Sequence, residues 1–113
     1  MSADRLSPEL KSSAPVFAAL GDPTRLQLVA RLSAGEPLSI TRLASGSPLT
    51  RQAITKHLHV MAGAGLVKGF RQGREQLWEL NPQQLRHARR SLDLISRQWD
   101  EALARLKAWV EEG

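Results

Sequence analysis

The chain has 113 residues, no cysteine, and sixteen lysines and arginines against eleven acidic residues, which gives a formal net charge of +5. This length predicts one domain, and the lack of cysteine excludes disulfides, thiolate metal sites and thiol-based redox sensing. The N-terminus lacks a basic start followed by an apolar core, and every apolar run is too short to span a bilayer. We therefore expect a cytoplasmic protein that does not contact membranes.

The N-terminal part of the sequence predicts a flexible tail before the first helix. Residues 1–13 are polar, contain Pro8 and show no useful apolar periodicity. A short helix is expected over residues 14–20, because Gly21 can end it there.

Two further helices are predicted from their caps. Asp22 followed by Pro23 is an N-cap with proline at the first helical position, and this helix is expected to end near residues 33–35. Ser39 can cap a brief third helix over residues 40–44. The apolar stripe of the second helix is predicted to consist of Leu26, Val29, Ala30 and Leu32.

A fourth helix, expected over residues 50–64, separates an apolar face from a polar one. Ile54, Leu58 and Met61 recur at the spacing of one helical face and predict core positions. The opposite face carries Arg51, Gln52, Thr55, Lys56 and His59. Such a helix suits the major groove of DNA, where Arg51 has the chemistry to pair with guanine and Gln52 with adenine.

A β-hairpin is predicted over residues 67–80, with its turn at Gln72 and Gly73. Arg71 and Arg74 lie on either side of Gly73 and place two guanidinium groups at the tip. This arrangement suits contact with the DNA backbone or the minor groove.

Positive charge is concentrated in one third of the chain. No Asp or Glu occurs between residues 37 and 74, and this span holds Arg42, Arg51, Lys56, Lys68, Arg71 and Arg74. A surface that approaches a polyanion excludes carboxylates, because each would repel phosphate. Solvated surface remains the alternative for any single residue, although ordinary solvated faces mix both signs.

Four segments resemble the ArsR/SmtB-type winged-helix repressors. They are residues 21–26, 50–58, 65–67 and 71–74. The resemblance covers about residues 16–80 and implies a mainly α fold with a small β-hairpin, a winged helix-turn-helix domain over residues 14–81. Residues 82–113 are predicted to form a long dimerisation helix from their own apolar pattern. The resemblance also implies a homodimeric transcriptional repressor that binds an inverted repeat in double-stranded DNA.

The resemblance also indicates which residues bind DNA. It implies a recognition helix over residues 50–64 and a wing over residues 67–80. Arg42 on the third helix and His59 on the outer face of the fourth are added to the positions that match the family. The predicted DNA-binding set is Arg42, Thr50, Arg51, Gln52, Thr55, Lys56, His57, His59, Arg71 and Arg74. Two roles stay open for His57, which either packs half buried to hold the recognition helix or contacts a phosphate.

The family's metal sites are not matched in this sequence. Residues 39–43 offer no soft ligand where the family has thiolates, and Arg42 would repel a cation. His87 and Asp93 are six residues apart and point to opposite sides of a helix. We expect no metal site and no cofactor, and the inducing signal stays open.

The last helix is expected to begin at Asn81 and Pro82 and to reach about residue 111. Its apolar residues alternate by three and four along a heptad seam: Leu85, Ala88, Leu92, Ile95, Trp99, Ala102, Leu106 and Trp109. This seam predicts a homodimer. The alternative is an interaction module that docks on another protein through this helix, and no catalytic constellation predicts an enzyme.

Overall fold

The structure is a computed structural model that describes residues 7–112. It is mostly helical, with a three-stranded antiparallel sheet of order β1-β3-β2. The elements in chain order are α1 (Pro8–Leu20), α2 (Pro23–Leu32), β1 (Leu38–Ser39), α3 (Ile40–Ala44), α4 (Arg51–Gly63), β2 (Val67–Gln72), β3 (Glu75–Leu80) and α5 (Pro82–Glu112). The predicted fold class is confirmed, although β1 was not expected, because a two-residue strand has no periodicity.

Side-chain caps start the helices where the sequence predicts them. The Asp22 carboxylate accepts a hydrogen bond from the backbone of α2 at 3.0 Å, and Ser39 and Thr50 cap α3 and α4 at 3.1 and 3.0 Å. The Asn81 side chain accepts from the Gln83 N–H at 3.1 Å at the start of α5. Each cap satisfies a backbone donor that has no partner within the first turn of its helix.

Helix α1 begins earlier than the sequence predicts. Residues 8–13, expected to be part of a flexible tail, are helical, because Ser7 caps the helix and Pro8 occupies its first turn. Ser13, within this segment, is fully buried. The other residues assigned to that tail, 1–6, lie outside the described residues.

The core lies between the helices and one face of the sheet. It consists of Val16, Ala19, Leu28, Leu32, Leu43, Ile54, Leu58, Met61, Leu66, Val67, Trp78 and Ala88. The prediction for α4 is confirmed, whereas Leu28 replaces Leu26 and Ala30 in the stripe of α2, and Leu26 is 51% exposed. Apolar residues surround most of α2, so their spacing does not single out one face.

The hairpin turn lies one residue later than predicted. Gln72 pairs with Glu75, which leaves Gly73 and Arg74 as a two-residue loop. Gly73 has φ of 64°, whereas Arg74, like every described residue other than glycine, has negative φ. A positive φ at the first loop residue alone is the pattern of a type II′ turn. The turn therefore presents the Arg74 side chain at the tip of the β2–β3 hairpin, which we call the wing.

Helix α5 packs on the domain only at its beginning. Ala88 and Ser91 are its buried residues, and most of the helix after them is exposed. The long helix gives the chain an elongated shape of 68 × 28 × 24 Å. Within residues 7–112, neither α5 nor any other helix combines the length and apolarity needed to cross a membrane.

Candidate nucleic-acid interface

The turn between α3 and α4 is held from outside by α2. The Arg31 guanidinium donates to the carbonyl oxygens of Leu43 at 2.7 Å and Arg42 at 2.8 Å. These carbonyls belong to the end of α3, where the backbone of the helix supplies few donors; the Arg42 carbonyl also accepts the Ser45 N–H at 3.3 Å. Gly46, with φ of 74°, then turns the chain toward α4. Arg31 thus fixes the helix-turn-helix unit to the preceding helix.

Helix α4 exposes a polar face because its apolar face is completely buried. Ile54, Leu58 and Met61 have no exposed surface, so the core decides which face of the helix is turned outward. Gln52 and Lys56 are exposed, and their spacing of four residues places them one turn apart on the outer side. Both side chains are free to extend away from the protein.

Two other residues predicted to face DNA use their hydroxyl groups locally. The Thr50 side chain accepts the Ala53 N–H as the cap of α4. Thr55 is half buried and donates to the Arg51 carbonyl oxygen at 2.8 Å. Their polar atoms therefore shape the start of α4 and have less capacity for a ligand than those of Gln52 and Lys56.

Three arginines surround one cleft between the start of α4 and the wing. Arg51, Arg71 and Arg74 line this opening of about 270 Å³, together with Glu75 and Gln76 of β3 and residues from β1 and α3. Within residues 7–112 the ion pairs are Lys68 with Glu79 and Lys107 with Glu111, so no carboxylate pairs with any of the three. Three guanidinium groups against the single carboxylate of Glu75 leave the cleft with a net positive charge, which suits an anionic ligand.

His59 lies beside the wing. Its imidazole ring is exposed, but the ring centroid lies 5.9 Å from that of Trp78 in β3, with the planes tilted by 51°. An aromatic pair of this geometry is attractive. His59 was predicted on the outer face near DNA, and the structure places it against the sheet at the edge of that face.

His57 is joined to α2 by a hydrogen bond. The ring is half buried, and its Nδ1 atom lies 3.3 Å from Nη1 of Arg25. Arginine stays protonated and carries no acceptor, so Nδ1 must accept and the ring hydrogen lies on Nε2. Of the two roles left open by the sequence, this geometry favours holding the recognition helix.

Asp22 lies next to Arg25 and His57, and the pKa of its carboxyl group is lowered. The backbone N–H of Arg25, which donates to the carboxylate, lowers the pKa of Asp22 below its ordinary value of 3.8. Burial opposes this change, while the positive charge of Arg25 adds to it. Neither Arg25 nor Arg31 was singled out from the sequence, although Arg25 lies in the first of the four matching segments.

Arg42 remains an exposed candidate on α3. Its backbone is engaged, because the N–H donates to Ser39 Oγ and the carbonyl oxygen accepts from Arg31 and from the Ser45 N–H. Lys68, the remaining cation of the acid-free span, lies 3.6 Å from Glu79 on the neighbouring strand.

Comparisons with known proteins identify this arrangement. A family model described as a helix-turn-helix domain matches residues 20–69. The HTH-type transcriptional regulator Rv2034 of Mycobacterium tuberculosis is 39% identical over 85 residues, which cover 75% of this chain and 76% of that protein. An ArsR-like transcriptional regulator from Rhodococcus sp. RHA1 shares 37% identity with a TM-score of 0.75, over 86% of this chain and 91% of that one. The chain belongs to the ArsR family. It is a DNA-binding transcriptional regulator rather than an enzyme.

A more distant solved structure shows the same fold. The homodimeric winged helix-turn-helix DNA-binding domain from Mycobacterium bovis is 24% identical, with a TM-score of 0.62 over 90% of this chain and 91% of that one.

In this ArsR-family chain, no three His, Asp or Glu side chains among residues 7–112 are grouped to hold a metal ion. His87 instead hydrogen-bonds through Nε2 to the Ser12 hydroxyl at 2.6 Å.

The heptad seam of this ArsR-family chain is divided between two environments. Leu85, predicted as a dimerisation residue, packs on the core of its own domain beside buried Ala88. The reason is that α5 must cover the domain before it projects away from it. Large apolar side chains that are 44% to 72% exposed follow from there to the end of the helix: Leu92, Ile95, Trp99, Leu103, Leu106, Trp109 and Val110.

Proposed function

We propose that this ArsR-family regulator is a homodimeric repressor that binds an inverted repeat in double-stranded DNA. In this proposal α4 enters the major groove and the wing lies on the flanking backbone or in the minor groove. The observation that carries the proposal is the grouping of Arg51, Arg71 and Arg74 around one cleft beside the outer face of α4. A protein surface collects unpaired guanidinium groups in this way when its ligand is a polyanion.

Base reading is assigned to the outer face of α4. Gln52 has the amide geometry that pairs with adenine N6 and N7, and Lys56 can donate to guanine O6 and N7. Arg51 was expected from the sequence to pair with guanine. Its place in the cleft with the wing arginines supports a phosphate contact at the edge of the groove instead.

Dimerisation through α5 completes the proposed DNA-binding unit. The exposed apolar side chains from Leu92 to Val110 lie on one long helix and have no cover in the single chain. A second copy would bury them, and the related domain from Mycobacterium bovis is described as homodimeric. A two-fold dimer presents two copies of α4 to two half-sites, which matches an inverted repeat. We place the working protein in the cytoplasm, where its DNA is accessible.

Fluorescence anisotropy on the upstream DNA of its own gene tests the proposal. The full chain is titrated against that duplex and a scrambled duplex of equal length across a salt series. We expect a preference of roughly a thousandfold or more, with two chains per duplex. Equal and steeply salt-dependent binding to both duplexes would contradict a site in that DNA. No binding at low salt would favour the alternative, an interaction module that docks through α5.

Repression is tested separately with a reporter gene placed behind the same upstream DNA. Expression of the regulator should lower reporter output, and a variant with both Arg71 and Arg74 changed to alanine should restore it. An increase in output on expression of the wild type would identify an activator.

A further inference from the structure

We propose that Arg25 is a positioning residue for α4. It joins the end of α1 to His57 and so fixes the orientation in which the recognition helix meets DNA. This inference rests on the proposed function, because the orientation of α4 matters only if α4 reads DNA. Arg25 itself is not proposed to touch the nucleic acid.

Arg25, a residue of α2, is hydrogen-bonded to two other helices. Its Nε atom donates to the Ala19 carbonyl oxygen in α1 at 2.6 Å, and its Nη1 atom lies 3.3 Å from His57 Nδ1 in α4. Its own backbone N–H donates to the Asp22 carboxylate at the start of α2 at 3.0 Å. The guanidinium is planar, so the directions of its two side-chain bonds are fixed relative to each other. Lysine offers a single ammonium group and cannot reproduce this fork.

The bond to His57 acts at a place where the apolar core gives less control. Ile54, Leu58 and Met61 hold α4 through contacts that carry no directional preference of their own. His57 lies on the flank of the helix between this buried face and the outer one, as its half-buried state shows. A hydrogen bond on the flank resists rotation of the helix about its axis. Base reading by Gln52 tolerates only about 10–20° of such rotation.

The other end of the link leads to α5. Helix α1 binds α5 through Ser13 and Ser91, whose hydroxyl oxygens lie 2.6 Å apart, and through Ser12 and His87 at 2.6 Å. Arg25 then connects the last turn of α1 to α4. A continuous series of hydrogen-bonded contacts therefore runs from the proposed dimer helix to the recognition helix. The separation between the two copies of α4 in a dimer depends on this series being rigid.

The Arg25 guanidinium is already hydrogen-bonded within the protein, which favours a positioning role over a direct contact with phosphate. The group is half buried and two of its nitrogen atoms are bound to protein. A residue that contacts phosphate raises the dependence of affinity on salt by about one unit of slope. Loss of a positioning residue lowers the preference for the correct DNA and leaves that slope unchanged.

The decisive experiment compares Arg25→Lys, His57→Leu and the two combined in the full chain, using the upstream and scrambled duplexes. Arg25→Lys keeps the charge, and His57→Leu removes the acceptor while retaining an apolar side chain. We expect each single change to lower the preference for the upstream duplex over the scrambled one by roughly tenfold. This is the effect expected from the loss of one hydrogen bond to a charged group. The combined variant should lose no more than either one, and the salt slope should match that of the wild type.

His57→Asn provides a conservative rescue, because the asparagine amide oxygen can take the place of Nδ1 as acceptor. It should keep most of the wild-type preference, which a role in packing volume alone would not allow. A fall in salt slope of about one for Arg25→Gln, which removes the charge that Arg25→Lys keeps, would overturn the inference. Additive losses in the combined variant, or equal loss for His57→Asn and His57→Leu, would overturn it as well. If Arg25→Lys does not fold, the two His57 variants decide.

A measurement without DNA keeps the inference separate from the proposed function. Nitrogen-15 spectra of the imidazole in the full chain should show His57 with its hydrogen on Nε2, and Arg25→Lys should abolish this fixed tautomer and speed amide exchange in α4. Unchanged spectra and exchange would overturn the positioning role. A wild-type protein that shows these signals but prefers no DNA would instead overturn the proposed function.

Discussion

The hydroxyl oxygens of Ser13 and Ser91 lie 2.6 Å apart in the buried contact between α1 and α5. Both residues have no exposed surface, and the Ser91 hydroxyl also lies 3.3 Å from the Glu9 carbonyl oxygen. Side chains this small let two helices approach closely, and the shared hydrogen bond fixes their alignment along the contact. The N-terminal helix is therefore part of the support on which the long C-terminal helix rests.

Breaking this pair should destabilise the fold in a non-additive way. Ser91→Ala leaves the buried Ser13 hydroxyl without its partner and should lower the free energy of unfolding by about 1–2 kcal/mol. Adding Ser13→Ala should cost little more, because no buried hydroxyl then remains. Urea denaturation at one fixed protein concentration measures both. Ser96→Ala, at an exposed position of the same helix, is the control and should change stability by less than about 0.5 kcal/mol.

Gly69 in the wing should not tolerate a side chain. A Cβ atom there would lie 3.1 and 3.2 Å from two ring carbons of Trp78 and 2.6 Å from the Gln76 amide nitrogen. Gln76 can move aside, but Trp78 is buried, so Gly69→Ala should cost about 1–3 kcal/mol. Gly63→Ala meets nothing within 4 Å at the end of α4 and should be neutral or stabilising by about 0.5 kcal/mol. Equal thermal shifts for both variants would contradict the packing of Trp78 on Gly69.

Asp22 should make stability depend on acid. Its pKa in the folded protein lies below 3.8, so its contribution is fully present above that pH and is lost as the pH falls through the folded value. Asp22→Asn keeps an N-cap acceptor but removes the titrating charge. Urea midpoints measured from about pH 6 down to about pH 3 should therefore fall more steeply for the wild type than for the variant. Identical pH profiles would show that the cap does not depend on ionisation.

One charge placed in the exposed seam should separate association from folding. Ile95 is 44% exposed in the single chain, so Ile95→Glu should leave the helical signal in circular dichroism intact. In the proposed dimer the new carboxylate would be buried without a partner, which should weaken association by at least about 2 kcal/mol. Ser96→Glu adds the same charge at the next position, outside the seam, and should remain dimeric. Sedimentation velocity distinguishes the two, and a dimeric Ile95→Glu protein would locate the interface elsewhere.

Two kinds of DNA contact should respond differently to alanine. Gln52→Ala should lose about 1–3 kcal/mol on the correct DNA with an unchanged salt slope, as expected for a base contact. Arg74→Ala should weaken all duplexes alike and lower the slope by about one. Arg51→Ala should follow Arg74→Ala if it binds phosphate in the cleft. If Arg51→Ala instead loses discrimination at a single base pair, the contact between Arg51 and guanine that the sequence predicts would be supported.

Local signals in the sequence were enough to predict most of the fold. The caps at Asp22, Ser39 and Asn81 fix helix starts within a few residues, and the spacing of Ile54 and Leu58 identifies the buried face of α4. The start of α1 was missed although Ser7 and Pro8 give the same signal as Asp22 and Pro23. Its first two turns have little apolar content, and they are held by hydrogen bonds to His87 and Ser91, which lie far away in the chain.

In the candidate site, too, the local features could be predicted from the sequence and the long-range contacts could not. The outward direction of Gln52 and Lys56 follows from helical period alone. The links from Arg25 to His57 and from Arg31 to the end of α3 join residues whose separation in sequence follows no period. The contact of His59 with Trp78 also depends on how the sheet packs against α4, which only the tertiary structure supplies.

The open face of α5 connects the protein's lifetime to its abundance. A chain that has not met a second copy leaves seven large apolar side chains of this helix in water. Such surfaces are what chaperones and proteases act on, and partner binding stabilises a fold by mass action. If a second copy covers this face, scarce chains are degraded faster than abundant ones. The amount of regulator available for DNA then falls more steeply than its rate of synthesis.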